Sequence, residues 1–362
     1  MLGRDEQAAQ ATDAEHQRGL FENIKLYPAA VGWSVLLSTT IIMEGFDIVL
    51  IASLLAVPAF QEAFGEQLED GTYQISAAWQ AGLTNGALVG EIIGLMFVGI
   101  IADRIGFRKT MMGALAMVTA FIFIVFFVQN LGQLLAGLIL MGLPWGAFQT
   151  LTATYASEVC PVGLRPYLTT YVNLCWVLGQ FLASAVLKGV AERQDQWAYR
   201  IPYALQWMWP VPLIIGIYLA PESPWWLVRK GRMDQAKHVL WRLTSKNSPN
   251  FNADDTVAMM KQTDDFEKSI NEGTTYADCF KGVDLRRTEI TCMVWLVQTL
   301  CGSTFMGYST YFYQQAGLAV SQSFTMSLVQ YALGAVGVFC SWFLMPHFGR
   351  RTLYVWGQLA VS

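Results

Sequence analysis

The sequence predicts an all-α membrane protein with a complete six-helix bundle, a polar linker and a partial second bundle. Three observations predict it. The 362 residues are 54% hydrophobic and only 14% charged, against about 25% charged in soluble domains. Eight windows are long and apolar enough to cross a bilayer, which takes about 20 residues in a helix. A polar stretch at 221–288 separates six of those windows from the rest.

The windows lie near 28–59, 77–101, 109–129, 132–156, 168–189, 201–220, 289–316 and 322–345. The implied domains are a tail (1–27), an N-terminal six-helix bundle (28–220), a linker with helices (221–288) and a partial C-terminal bundle (289–362). No short apolar segment with a cleavage site precedes the first span, so that span acts as the insertion signal. After Arg351 the chain turns apolar again as TLYVWGQLAVS, too short to cross; the start of a ninth span is expected here, in a chain truncated at its C-terminus.

Orientation follows from the loops. With the N-terminus inside, only Lys188, Arg193 and Arg200 of the 23 basic residues fall outside. The loop after span 1 holds Glu62, Glu66, Glu69 and Asp70 and no base. That bias places the N-terminus in the cytoplasm. The linker segment WWLVRKGRMDQAKHVLWRLT combines helical apolar spacing with a basic face, so a surface helix is expected, packed beneath the spans or, as the alternative, bound to lipid headgroups.

Several function classes are excluded. A net charge of −4 offers no basic excess for nucleic acid. The six cysteines lack paired metal spacing, there are three histidines and no HExxH, so neither a metal nor a cofactor is implied. No nucleophile elbow or paired catalytic acids suggest an enzyme.

Polar residues inside the spans point to transport. Glu44 and Asp47 sit near the middle of span 1, three residues apart on one face. Glu91 sits near the middle of span 2, where Gly82, Gly86, Gly90 and Gly94 recur every four residues and allow close helix approach. Carboxyls at membrane depth are costly and face a partner or cavity, as in a proton relay. Asn173 and Gln180 in span 5, two turns apart, and Gln298, Thr299, Thr304 and Tyr308 in span 7 suit a neutral polyhydroxylated ligand. Amides bind hydroxyls as donor and acceptor, and aromatic rings cover the apolar face of a sugar.

The chain resembles the sugar porter family of the major facilitator superfamily. GFD at 45–47, DRIGFRKT at 103–110, EVCPVGLRP at 158–166, PESPWWLVRKGR at 221–232 and GRR at 349–351 are similar to family motifs, in the family's order. The segments PWGAFQTLTATYASEVCP, YVNLCWVLGQ and QTLCGSTFMGYSTYFYQQAGL look like the fungal α-glucoside (maltose-type) permeases. Hexose carriers have Gln-Gln-x-x-Gly in span 7; here Gln298 and Gly302 match and Thr299 replaces the second Gln.

The resemblance implies the major facilitator fold and proton-coupled symport of an α-glucoside such as maltose across the plasma membrane. A non-transporting sugar sensor and a facilitated hexose carrier are the alternatives. It implies a monomer in lipid whose partners are sugar and proton. Asp47 becomes the coupling carboxylate, assisted by Glu44 and Glu91. Asn173, Gln180 and Gln298 become sugar contacts. Asp103, Arg104, Arg108, Glu158, Arg165, Glu222, Arg350 and Arg351 become a cytoplasmic charge network. The sequence departs from the family pattern at Leu138, where many porters carry an Arg near the coupling acid. It also departs at Trp225 (Arg in the family), Pro166 (Gly) and Pro346 (an acid).

Overall fold

A computed structural model describes residues 19–69, 71–245, 251–271 and 276–361. Residues 1–18 of the expected tail lie outside the described residues, as do parts of the linker.

Among the described residues, six helical stretches are long and apolar enough to span a membrane: Pro28–Leu54 (with a turn at Thr39), Ala77–Ile105, Phe107–Phe126, Leu131–Val159, Arg165–Val190 and Val320–Leu344. They correspond to spans 1 to 5 and 8. The other two expected spans are present but broken. Span 6 runs as Trp197–Leu205, a 3₁₀ turn at Gln206–Met208, then Pro210–Leu219. Pro210 has no N–H for the Gln206 carbonyl, which takes only the Trp209 N–H at 3.4 Å. Span 7 begins at Gly282, ahead of the expected 289, and breaks at Thr299–Ser303, where Gly302 adopts φ 101°. It resumes as Thr304–Gly307 and Ser309–Gln315.

Two close crossings hold spans 1, 2, 4 and 5. A Cβ on Gly90 would lie 1.9 Å from the Ile139 carbonyl oxygen, and one on Gly142 2.0 Å from that of Ala87. Gly94 and Gly146 extend this seam between spans 2 and 4. The second seam joins spans 1 and 5: Gly45 abuts the Trp176 carbonyl and Gly179 that of Ile42. Backbones this close gain dispersion along the whole crossing, the main attraction between helices in lipid. The predicted glycine face of span 2 is therefore used in part. Gly86 meets only side chains, those of Leu135 and Ile139, and Gly82 meets open space.

The opposite faces are apolar and bare. Val89, Ile92, Met96 and Phe97 of span 2 and Val211, Ile215 and Leu219 of span 6 are exposed, as hydrocarbon contact requires. Span 8 rests on span 5, with Gly334 against Val177, and buries little else.

The loops define two ends. At the acidic-loop end, Pro58–Phe64 and a two-residue hairpin, Glu66–Gln67 with Tyr73–Gln74, cover the bundle. At the basic-loop end, the expected single surface helix is two, Pro224–Arg229 and Met233–Leu243, separated by Gly231 at φ 72°. They pack beneath the spans through Trp226, Leu227, Leu240 and Leu243. Ala253–Asn271 joins them, with Phe251 edge-on to both Tyr27 and Trp241.

Candidate functional site

The two seams bring three acids to the middle of the bundle. Glu44, Asp47 and Glu91 are 0%, 1% and 8% exposed. Span 1 carries the first two past spans 4 and 6, because Gly45 lets its backbone lie directly on span 5. Glu44 lies within electrostatic reach of both Glu91 and Asp47. Among the described residues no ion pair reaches any of the three. Leu138, at the position of the family's Arg, is buried on span 4.

Neutral amides take the place of bases. Gln149 Nε2 of span 4 donates to Glu44 Oε1 at 2.6 Å. Gln206 Nε2, on the 3₁₀ turn of span 6, donates to Asp47 Oδ1. Glu44 Oε2 and Asp47 Oδ2 are buried without a partner. Sequence reasoning missed both amides. The available signal was their polarity within apolar windows, and for Gln206 its position four residues before Pro210 in a Trp- and Pro-rich segment.

The expected sugar contacts are not gathered in one place. On span 5 Gln180 is buried and Asn173, two turns away, is exposed. Gln298 and Thr299 are exposed at the break of span 7, and Thr299 Oγ1 donates to the Trp295 carbonyl at 3.1 Å. The side chain of Thr304 lies outside the described residues. Tyr308 shares a 2.5 Å hydrogen bond with Thr84 of span 2. Among the described residues no hydrogen bond joins the span 5 amides to span 7.

Tyr308 belongs instead to a closure at the acidic-loop end. Gln74 Nε2 of the hairpin donates to the Tyr311 hydroxyl at 2.7 Å. Gln314 Nε2 donates to the Ala56 carbonyl at 2.9 Å. Span 7 is thus tied to spans 1 and 2 at this end. Replacing Tyr308 by Phe removes one of these ties, worth about 1 kcal/mol. A cysteine at Ala56, 1% exposed and beneath the Gln314 tie, is expected in that background to react several-fold faster with a water-soluble maleimide than in the Tyr308 parent, because the population opened at this end rises in proportion.

At the basic-loop end the charged residues do local work. Glu222 accepts from the Phe107 N–H at 2.9 Å and the Arg108 N–H at 3.3 Å, capping span 3. Such a carboxylate offsets the free N–H groups and positive end of a helix. Burial pushes the Glu222 carboxyl above its usual value, and those backbone donors pull it back. Arg108 lies 5.5 Å over the Tyr218 ring. Glu158 pairs at 2.7 Å with Arg229, absent from the expected network, and also accepts from the Ser223 hydroxyl. Arg165 donates to the Cys160 carbonyl at 3.2 Å. Asp103, Arg104 and Arg351 are exposed, and Asp103 contributes its carbonyl to the Trp226 indole N–H. The side chain of Arg350 lies outside the described residues. Among the described residues, the expected network is two local clusters around Pro221–Ser223 with no ion pair to span 8.

Gly106 makes the Glu222 cap possible. It adopts φ 99°, and a Cβ there would lie 2.5 Å from Glu222 Oε2. Gly106→Ala is expected to lose about 2 kcal/mol from backbone strain and the displaced cap. A thermal melt in detergent checks it. Gly99→Ala, with nothing within 4 Å, is the control and should leave the midpoint near that of the parent.

Three buried acids, two of them held by amides, between apolar helices that cross through glycine seams define a helical membrane protein with ionisable groups at its centre. The fold matches solved structures of major facilitator transporters. The proton:xylose symporter XylE bound to 6-bromo-6-deoxy-D-glucose superposes with a TM-score of 0.76 at 18% identity, over 90% of this chain and 71% of that one. Inward-open XylE from E. coli gives 0.66 at 19% identity, over 90% and 70%. The family model for the sugar (and other) transporters matches residues 33–362, and the chain belongs to that family. The maltose permease MAL61 of Saccharomyces cerevisiae is 44% identical over 97% of this chain and 58% of its own length. The alpha-glucosides permease MPH3 of the same yeast is 46% identical over 97% of this chain and 60% of its own. The chain thus spans about three fifths of the length of these curated relatives.

Proposed function

We propose that this chain is the proton-coupling part of an α-glucoside:proton symporter, a transporter and not an enzyme, acting on maltose or a similar disaccharide. One observation carries the reading: three carboxyls buried at membrane depth, two of them contacted by amides and none by a base among the described residues, within a chain whose relatives include a maltose permease. A facilitated carrier or a sensor has no need of such acids, each costing about 2.5 to 3.5 kcal/mol to insert for an Asp.

The mechanism follows from what each group can do. Asp47 takes up a proton when its side of the bundle is open to water and releases it when the opposite side opens. Glu44 and Glu91 lie close enough for the charge of one to affect another. Sugar binding would draw Gln180 and Asn173 of span 5 together with Gln298, Thr299 and Tyr308 of span 7, so that their donors and acceptors meet sugar hydroxyls between the 28–220 bundle and the 289–362 bundle. Closure of the acidic-loop end by Tyr308, Tyr311 and Gln314 leaves access from the basic-loop end. The charge-based orientation puts that end in the cytoplasm. The residues around Pro221–Ser223, with Arg350 and Arg351, would meet when the cytoplasmic end closes. Rocking of one bundle against the other exchanges the two closures. The location is the plasma membrane, as a monomer.

The test is uptake by proteoliposomes containing the chain. With an inward proton gradient, labelled maltose is expected to accumulate, and unlabelled maltose should compete better than glucose. Equal competition by glucose with no effect of the gradient would replace this reading with a facilitated hexose carrier. Binding without any movement of sugar would favour a sensor.

A further inference from the structure

Asp47 has no base for a partner, and the structure puts a carboxamide beside it. The hydrogen bond from Gln206 Nε2 to Asp47 Oδ1 uses one atom of each group. The remaining two, Asp47 Oδ2 and Gln206 Oε1, are both buried and both without a partner. Both are acceptors when the carboxyl is ionised. Two orphaned acceptors in one buried pair are unusual, because buried polar groups nearly always find donors.

A single proton removes the conflict. On Asp47 Oδ2 it makes that oxygen a donor, for which the amide oxygen is the acceptor. Acid and amide then form a ring of two hydrogen bonds. Turning the carboxamide over does not change the requirement. It would set the amide oxygen against Oδ1, where again only a proton on the carboxyl can stand between them. Glu44 and Gln149 differ: Glu44 Oε2 is orphaned, but Gln149 is an exposed residue, so its amide oxygen is not shut in with the carboxyl.

The other groups that reach Asp47 supply no positive charge. Glu44 is one turn back on span 1, Glu91 reaches Glu44 from span 2, and Tyr203 lies near Asp47 from span 6. Span 6 is broken where it carries the amide, at the 3₁₀ turn Gln206–Met208 ahead of Pro210. Gln206 can therefore move relative to span 1 without loss of regular helical hydrogen bonds.

We propose that Gln206 is the positioning residue for the coupling proton: Asp47 carries the proton in an acid–amide ring with Gln206, and the proton leaves when span 6 withdraws that amide. The transport part of this inference rests on the symport reading above; the ring itself does not.

The experiment is infrared spectroscopy of the whole chain in liposomes. The carbonyl stretch of a protonated carboxyl is assigned to Asp47 by its loss in Asp47→Asn. In Gln206→Met, which keeps the volume and removes the amide, the band is expected to move to higher frequency as its hydrogen bond is lost. An Asp47 band that stays in place in Gln206→Met overturns the proposal, as does a spectrum from which Asp47→Asn removes nothing. The unmutated chain gives the same test should Gln206→Met fail to fold. Carbon-13 in the glutamine side chains must then shift an amide band that rises and falls with the Asp47 band; an amide spectrum indifferent to that band overturns the ring.

Transport supplies the second arm. Gln206→Met should lower gradient-driven maltose accumulation about tenfold, the effect of one lost hydrogen bond on an equilibrium, with maltose exchange unchanged. Equal loss of accumulation and exchange would show a merely structural role and overturn the positioning assignment. If the parent chain moves no maltose while the infrared band still shifts, the symport reading fails and the ring stands.

Discussion

Asp47→Asn is expected to abolish maltose accumulation against its gradient while leaving exchange of internal for external maltose measurable. A membrane potential of 100 mV supplies about 2.3 kcal/mol per proton, which corresponds to about fiftyfold accumulation of a neutral sugar. An Asn can hold the Gln206 amide at the same position but does not take up and release a proton, so that ratio should fall to about one. The substitution keeps the volume of the side chain, and its new N–H₂ offers a donor to Gln206 Oε1, which has none in the structure. Folding is therefore expected to survive. Asp47→Ala is the informative contrast. It leaves the Gln206 amide buried without a partner, at a cost of about 1–3 kcal/mol, and should lower the melting temperature. Accumulation that stays at the parent level in Asp47→Asn, measured across a pH step, would remove Asp47 from the coupling role and leave Glu91 or Glu44 to hold it.

Gly90→Ala should be the most destabilising single methyl in the protein. The added carbon would stand 1.9 Å from the Ile139 carbonyl oxygen, 2.9 Å from its carbonyl carbon and 3.1 Å from Gly142 Cα. All three are backbone atoms, so no rotamer change relieves the clash. Spans 2 and 4 must move apart, and the seam through Gly94 and Gly146 opens with them. Overpacking typically costs about 1–3 kcal/mol where side chains can yield; here at least the upper end, about 3 kcal/mol, is expected. Gly82→Ala on the same helix has open space around it and should be neutral. Thermal melting in detergent separates the two, and equal midpoints would mean that the seam contributes little to stability. Because Glu91 rides on this helix beside Gly90, the surviving Gly90→Ala protein should also show altered coupling.

The extent of the fold legible in the sequence differs from element to element. Spans 1 to 5 and 8 are long apolar windows, and the bilayer leaves them no choice but a helix with every backbone group satisfied internally. The same rule does not fix continuity. Span 6 breaks at Gln206–Met208 and span 7 at Gly302, because proline and a left-handed glycine set local geometry that hydropathy does not register. The four-residue glycine spacing in span 2 was visible, but which glycines touch depended on where span 4 crosses: Gly90 and Gly94 are in the seam and Gly82 is outside it.

The acids were the most legible part of the site. Charge at membrane depth is costly enough that Glu44, Asp47 and Glu91 stand out one residue at a time. Their partners were not legible, since Gln149 and Gln206 are uncharged and lie 105 and 159 residues along the chain from the acids they contact. The charge network at the basic-loop end shows the same limit. Motif positions identified Glu158 and Glu222 as important, yet Glu222 caps a helix and Glu158 pairs with Arg229.

By itself, then, the amino-acid sequence determined that this chain spans a membrane, where its spans and acids lie, and which family motifs it carries. Those properties follow from transfer free energies and local patterns, which act within a few consecutive residues. Tertiary structure alone decided that a carboxamide from span 6 stands against Asp47, that one from span 4 stands against Glu44, and that span 7 closes one end of the bundle. Each of these depends on how helices cross. Crossing is set by backbone contact at Gly45, Gly90, Gly142 and Gly179, a sum of many weak contacts between segments distant in the chain.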